Sequence, residues 1–162
     1  MKVSSTRSAR SFPVNLDQTD RKIIGELVTD GRLPLAELGR RVNLSSPAVS
    51  ERVARLEEAG VITGYRAVIN LRALGYQLTA IVRVKPAPGQ LQRIPELALQ
   101  IPEISECHRI TGEDCFYLKL HLRSIDDLTE LLDRFLAFGE TTTSIINASP
   151  ILHREPPIPE KA

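Results

Sequence analysis

Leu35-Ala36-Glu37-Leu38-Gly39-Arg40-Arg41-Val42-Asn43-Leu44-Ser45-Ser46-Pro47-Ala48-Val49-Ser50-Glu51-Arg52-Val53-Ala54-Arg55-Leu56 decides the fold of this chain. Leu35, Leu38 and Val42 recur at i, i+3 and i+7 and form one apolar helical stripe; Val49, Val53 and Leu56 form a second. Asn43 stands between them and tolerates the left-handed conformation that a sharp helix-helix turn needs. Ser45 or Ser46 can cap the second helix, with Pro47 in its first turn. Two helices this short must bury their stripes against each other and against a third element, which leaves the opposite face of the second helix free. That is the pattern of a helix-turn-helix, whose second helix enters the DNA major groove.

The flanking residues extend the pattern. Asp17 to Asp30 predicts an amphipathic helix with Ile23, Ile24, Leu27 and Val28 on its apolar side. Asp17 is its expected N-cap and Asp20 stands three residues on. Gly31 and Gly60 are expected to end the first and third helices as C′ residues. Val61 to Ile69 reads as a turn followed by a short strand, which makes the unit a winged helix-turn-helix.

On the second helix Pro47, Glu51 and Ala54 project away from the core stripe, with Ala48, Ser50 and Arg55 at the edges. Ser46, Ser50, Glu51 and Arg55 are the polar groups placed for base edges. A glutamate can accept from cytosine, and an arginine can donate twice to guanine. Arg52 flanks the stripe and is expected to bond a phosphate or neighbouring backbone. Ser45 can serve as a cap alone, and Arg40 and Arg41 can be merely solvated.

Composition narrows the function classes. The chain has 162 residues, 42% of them apolar, with a net charge of +1. The charge is unevenly spread: residues 1–74 carry a net +4 and residues 75–162 a net −3, so the helix-turn-helix half is the one suited to phosphates. Met1 to Phe12 is polar and lacks the apolar segment of a signal peptide. No apolar run approaches the ~18 residues of a membrane span, and a cytoplasmic location is expected. Lys2, Arg7 and Arg10 lie among serines in a flexible basic arm over residues 1–14, which can touch DNA or remain a disordered tail. Cys107 and Cys115 are expected as free, buried thiols, because their pairing registers in a predicted hairpin differ. With three scattered histidines they give no metal-ligand spacing, and no catalytic motif is visible.

The second half alternates strands and helices. Leu78 to Lys85 is a buried strand, Leu91 to Ile101 follows helical spacing, and Ile104 to Thr111 and Cys115 to Arg123 are strands joined at Gly112-Glu113-Asp114. Ser124 caps a helix through Leu136, and Thr141 to Ser149 is a last strand. The order β-α-β-β-α-β is a ferredoxin-like unit with one sheet face uncovered, a face that usually pairs with a second subunit. The predicted class is therefore α+β, with these parts: an arm (1–14), a winged helix-turn-helix (15–64), a strand and hinge (65–76), a ferredoxin-like domain (77–153) and a tail (154–162).

A helix-turn-helix followed by such a unit resembles the Lrp/AsnC family of transcription regulators. The matching pieces are Leu16-Asp17, Leu44-Ser45, Glu51-Arg52-Val53, Arg55-Leu56-Glu57, Gly60-Val61-Ile62 and Gly64-Tyr65. The resemblance implies binding of double-stranded DNA at a roughly palindromic site through Ser45, Ser46, Pro47, Ser50, Glu51, Arg52 and Arg55. It implies a dimer built on the C-terminal sheets, often assembled into tetramers or octamers. It also implies a small-molecule effector, commonly an amino acid, and no other cofactor. The family's effector loop reads Gly-Asp-x-Asp, against Gly112-Glu113-Asp114-Cys115 here, so the second acid is displaced to Asp114. Thr141 and Thr143 match a Thr-x-Thr that lines the same pocket. A rival reading is a sirohaem-decarboxylase-like enzyme subunit, which would use His108, Arg109 and His121 for a tetrapyrrole's carboxylates.

Overall fold

The computed structural model describes residues 14–159, so the expected basic arm lies almost wholly outside the described residues. The chain divides into two compact units: residues 14–67 with 153–159, and Val68–Leu152.

The first unit contains α1 (Gln18–Thr29), α2 (Leu35–Val42) and α3 (Ser46–Glu58). Asp17 and Asp20 cap α1 reciprocally: the Asp20 amide donates to the Asp17 carboxylate at 2.7 Å and the Asp17 amide to Asp20 at 3.2 Å. Asn43 ends α2 at φ 58°, ψ 45°, the left-handed turn its side chain favours. Ser45 caps α3 by accepting from the Ala48 amide at 3.4 Å, with Pro47 in the first turn. Gly60 follows α3 at φ +68°. Ile23, Leu38, Val42, Val49, Val53 and Leu56 are buried together, joined by Leu33. Gly39 is buried where the turn folds back on α2, and a Cβ there would lie 2.7 Å from the Leu44 carbonyl oxygen. Only glycine lets the two segments approach so closely.

Several local expectations change in this unit. Gly31 does not adopt a positive φ, and α1 ends instead at Asp30 in an extended conformation. Leu35 opens α2 but remains 42% exposed. The expected strand at Tyr65–Ile69 forms no ladder; Val68 is 88% exposed, and a 3-10 turn at Leu71–Leu74 follows. A β-prone run becomes a strand only where a neighbour offers backbone partners, and among the described residues none does.

The second unit is a four-stranded sheet in the order β2-β3-β1-β4, formed by β1 (Leu78–Pro86), β2 (Ile104–Arg109), β3 (Phe116–Leu122) and β4 (Gly139–Ile145). Every neighbouring pair is antiparallel. Ala80, Val82 and Val84 of β1 and Phe116, Leu118, Leu120 and Leu122 of β3 point to one face. There they meet Ile94 and Ala98 of α4 (Arg93–Leu99) and Leu128, Leu131 and Phe135 of α5 (Ile125–Leu136). Ser124 and Asp127 form the capping box that starts α5. The arrangement is the ferredoxin-like one, with shorter elements than expected: α4 starts at Arg93 and β4 ends at Ile145.

The opposite sheet face carries alternating polar groups: Thr79, Arg83, Tyr117, Lys119 and His121, with Ile81 among them. Cys107 and Cys115 are free as expected, but Cys107 is exposed rather than buried.

Candidate DNA interface and effector site

The recognition helix α3 is held in place by charge as well as by its apolar stripe. Asp20 of α1 is 2% exposed and faces two arginines of α3: Arg52 Nη1 donates to it at 2.8 Å, and Arg55 Nη2 donates to both of its oxygens at 2.8 and 2.9 Å. Arg52 also reaches Asp17 at 2.7 Å. The Asp17 carboxyl lies below its ordinary pKa, chiefly because the Asp20 amide donates to it and then because Arg52 does.

This geometry changes two expectations. Arg52 bonds carboxylates rather than a phosphate or backbone, and Arg55, expected at a base edge, is turned onto α1. Arg40 and Arg41 are not merely solvated either. Both donate to Glu37, at 2.8 and 2.9 Å, and Arg41 also donates to Glu26 at 2.8 Å. Those arginines hold the Glu37 carboxyl down at about 2.

The remaining predicted residues stay together on the first two turns of α3. Ser45, Ser46, Pro47, Ser50 and Glu51 are all exposed. Among the described residues the Ser46, Ser50 and Glu51 side chains make no hydrogen bond or ion pair. Ser50 and Ala54 border a shallow cleft toward Leu33, Leu35 and Tyr65. The helix thus presents a small, uncrowded polar tip, while its arginines fix its tilt. No sequence pattern announced that second role. Asp20 lies 32 and 35 residues from its partners, and only its place in the capping box was visible in the chain.

In the second unit the predicted effector residues gather at one end of the sheet. The β2–β3 turn closes with the Ile110 amide donating to the Cys115 carbonyl at 2.9 Å, and Gly112 takes φ +111° within it. Asp114 is paired with Arg83 of β1 at 3.3 Å, Glu113 is exposed, and Cys115 is half-buried against the core. Thr141 and Thr143 are half-buried on the helix-side face, in register with Val84 and Val82. β3 and β4 flank β1 and start at the same end, so the turn and the threonines are neighbours about 10 Å apart, two strand spacings. A single protomer therefore supplies the donors without enclosing them.

The residues of the enzyme reading do not converge. His108 pairs across from Tyr117 and His121 from Thr79, four positions apart along β3. His121 shares a hydrogen bond with the Thr79 hydroxyl at 3.2 Å. Burial, then Lys119, holds its imidazole below the ordinary value, so it is neutral at pH 7 and poorly suited to carboxylates. Among the described residues no cluster of three or more candidate ligands could hold a metal. Among the described residues no helix is long and apolar enough to cross a membrane.

Comparison with known proteins accounts for both units. Residues 16–57 match the AsnC-type helix-turn-helix domain, and residues 79–156 the Lrp/AsnC ligand binding domain. The chain is 38% identical over 138 residues to the HTH-type transcriptional regulator LrpA of Mycobacterium tuberculosis, covering 85% of this chain and 89% of that protein. The structure of Bacillus subtilis LrpC is similar with a TM-score of 0.81 at 32% identity, covering 86% of this chain and 99% of LrpC. The feast or famine regulatory protein of M. tuberculosis complexed with L-methionine superposes with a TM-score of 0.83 at 36% identity, covering 89% and 100%. These comparisons give no support to the decarboxylase reading.

Proposed function

The chain belongs to the Lrp/AsnC family of transcriptional regulators, and from that premise we propose that it binds double-stranded DNA as a homo-oligomer and answers to an amino-acid effector. The observation that carries the DNA half is the recognition helix itself: capped at Ser45, anchored by Asp20, and free at Ser46, Pro47, Ser50 and Glu51. Such a helix offers side chains to base edges in a fixed pose. Arg52 and Arg55 act in this proposal as positioning residues. The open sheet face supplies the surface for a two-fold dimer, which would present two recognition helices to a roughly palindromic site. The protein acts in the cytoplasm, on its own genome, with no catalytic role.

Glu51 is the residue whose removal should change sequence preference. Glu51→Ala should relax the preference at one base pair of each half-site by about 1–2 kcal/mol. A selection from randomised duplexes reads this directly. An unchanged preference at every position would remove Glu51 from the base-reading set.

The effector half is supported by Gly112, Glu113, Asp114 and Cys115 lying at the same sheet end as Thr141 and Thr143, and by the L-methionine complex of the M. tuberculosis relative. Hydroxyls and turn amides there suit an α-carboxylate. Since Asp114 is engaged with Arg83, Glu113 is the acid left for an ammonium. L-Methionine at ~100 times its dissociation constant should stabilise the folded protein by ~2.7 kcal/mol, visible as a rise in Tm. The Thr143→Val protein should show a much smaller rise. A full amino-acid panel without any shift in the parent protein would exclude this class of effector.

A further inference from the structure

Two chain segments join the helix-turn-helix unit to the rest of the protein: one leaves it after Ala67 and the other returns at His153. Both are fastened to the unit and to each other. The Tyr65 hydroxyl donates to Glu57, in the last turn of α3, at 2.9 Å. Its ring lies against Gly31, where a Cβ would sit 3.5 Å from Tyr65 Cδ1. The next residue, Arg66, donates to His153 Nε2 at 2.8 Å, across 87 positions of sequence. Further along the tail the Pro159 carbonyl accepts from Arg21 Nε of α1 at 2.9 Å, and Arg21 also donates to the Leu16 carbonyl. Ile158 is half-buried there, while residues 153–157 are exposed. A line of contacts therefore runs from α1 through the tail and the linker to the recognition helix.

Exposed contacts of this kind are weak one by one, but the tail is built to keep them. Pro156, Pro157 and Pro159 fix their own φ angles, so the tail has little freedom left to lose when it docks. Arginine can only donate, so His153 accepts from Arg66 through the bare nitrogen of a neutral ring. A charged ring would instead give that nitrogen's proton to the Glu155 carboxylate, 3.0 Å away. Beyond Arg66 no ladder steadies the linker, and Val68 is 88% exposed.

We infer that Tyr65, Arg66 and His153 set the spacing of the DNA half-sites that this protein reads, which rests on its binding DNA as a homo-oligomer. A helix-turn-helix unit hung from a single chain can swivel on it. A unit hung from two chains that are clasped together has lost much of that freedom. Two copies then engage both half-sites only at the separations the clasp permits. In this role Arg66 and His153 touch no base; they are positioning residues that act through α3.

Duplexes carrying two copies of the half-site selected from randomised DNA test this on the intact protein, with centres about 10 to 21 base pairs apart in single steps. The titrations are run at about pH 8, where an ordinary imidazole is neutral. Parent affinity should vary about 10²-fold across the series, the avidity lost when geometry forbids simultaneous engagement. His153→Ala and Arg66→Gln should each flatten the series to about tenfold or less, with affinity for a duplex holding one half-site unchanged. His153→Gln, whose amide oxygen can accept from Arg66, should restore the parent profile. Trypsin reads the clasp without DNA. Cleavage between Arg66 and Ala67 should be about fivefold faster or more in His153→Ala, because a guanidinium held by His153 is not free to enter the protease. A flat parent profile, a profile as steep in His153→Ala as in the parent, or an unchanged tryptic rate overturns the inference and leaves the DNA-binding reading standing. A parent protein that binds none of the duplexes overturns both.

Discussion

Asp20→Ala should lower the unfolding free energy of the helix-turn-helix unit by about 3 kcal/mol and weaken specific DNA binding with it. The carboxylate does three things at once. It accepts from the Asp17 amide, closing the capping box of α1, and it receives Arg52 and Arg55 from α3. Loss of a cap costs about 1 kcal/mol, and a hydrogen bond to a charged group contributes about 1.5–3. These do not add fully, because Arg52 and Arg55 are 29% and 59% exposed and can turn to water. The stranded-charge penalty of about 3–5 kcal/mol is therefore an upper bound.

Asp20→Asn keeps an acceptor for the cap and removes the charge, so it should cost about half as much. Arg55→Ala should reproduce part of the stability loss rather than relax a single base preference, since its guanidinium is committed to Asp20. Urea unfolding measures each. A change below about 0.5 kcal/mol in Asp20→Ala would be that of an ordinary surface substitution and would dissolve the anchor. Acid should act in the same direction through Asp17. Its folded pKa is lowered, so its contribution is whole above the ordinary value of 3.8 and disappears as pH falls through the lower, folded one.

The second large effect is expected at Gly139. A Cβ there would fall onto the Lys85 carbonyl oxygen and come within 2.9 Å of the Pro86 Cα. Both are backbone atoms of the neighbouring strand, where Pro86 pairs with Gly139 and Lys85 with Glu140 in the β1–β4 register, and the Ala87 amide donates to the Phe138 carbonyl at 2.8 Å beside them. Backbone cannot swing aside as a long side chain can, so β4 must shift at its first residue. Gly139→Ala should cost about 3 kcal/mol, at the upper end of the usual penalty for overpacking. Because Thr141 lies two residues on, the same change should abolish the effector's thermal shift while leaving random-duplex binding unchanged. Denaturant midpoints and ligand titrations on the same preparation separate the two effects. A neutral substitution would show that β4 does not approach β1 this closely.

Local chemistry made much of this fold readable in the chain. Asn43 announces its left-handed turn, Ser45 and Ser124 their caps, and Asp17 with Asp20 their capping box, because each acts within four residues. The alternation of Phe116, Leu118, Leu120 and Leu122 marks β3 because a strand's two faces differ by one residue. What escaped the reading depends on distant neighbours. The Asp20–Arg55 pair spans 35 residues, and the contact that requires glycine at 139 lies with Lys85 on another strand. Tyr65–Ile69 has a strand's composition and no partner in the described chain. At the proposed effector end the residue types were legible, but the capture of Asp114 by Arg83 was not, and it shifts attention to Glu113. The cleft at Arg123 is invisible in sequence because Tyr76, the loop after α4, the end of β3 and α5 contribute to it from separate stretches.

We propose that α3 reads DNA sequence in a pose held by Asp20. Fluorescence anisotropy tests it most directly, with the protein titrated onto a duplex from upstream of its own gene and onto a random duplex across a salt series. Binding to the specific duplex should be about 10³-fold or more tighter than to the random one, with log affinity falling steeply in log salt. Most of this ratio should be lost in Asp20→Ala. Equal affinity for the two duplexes, or a ratio untouched by Asp20→Ala, would contradict it.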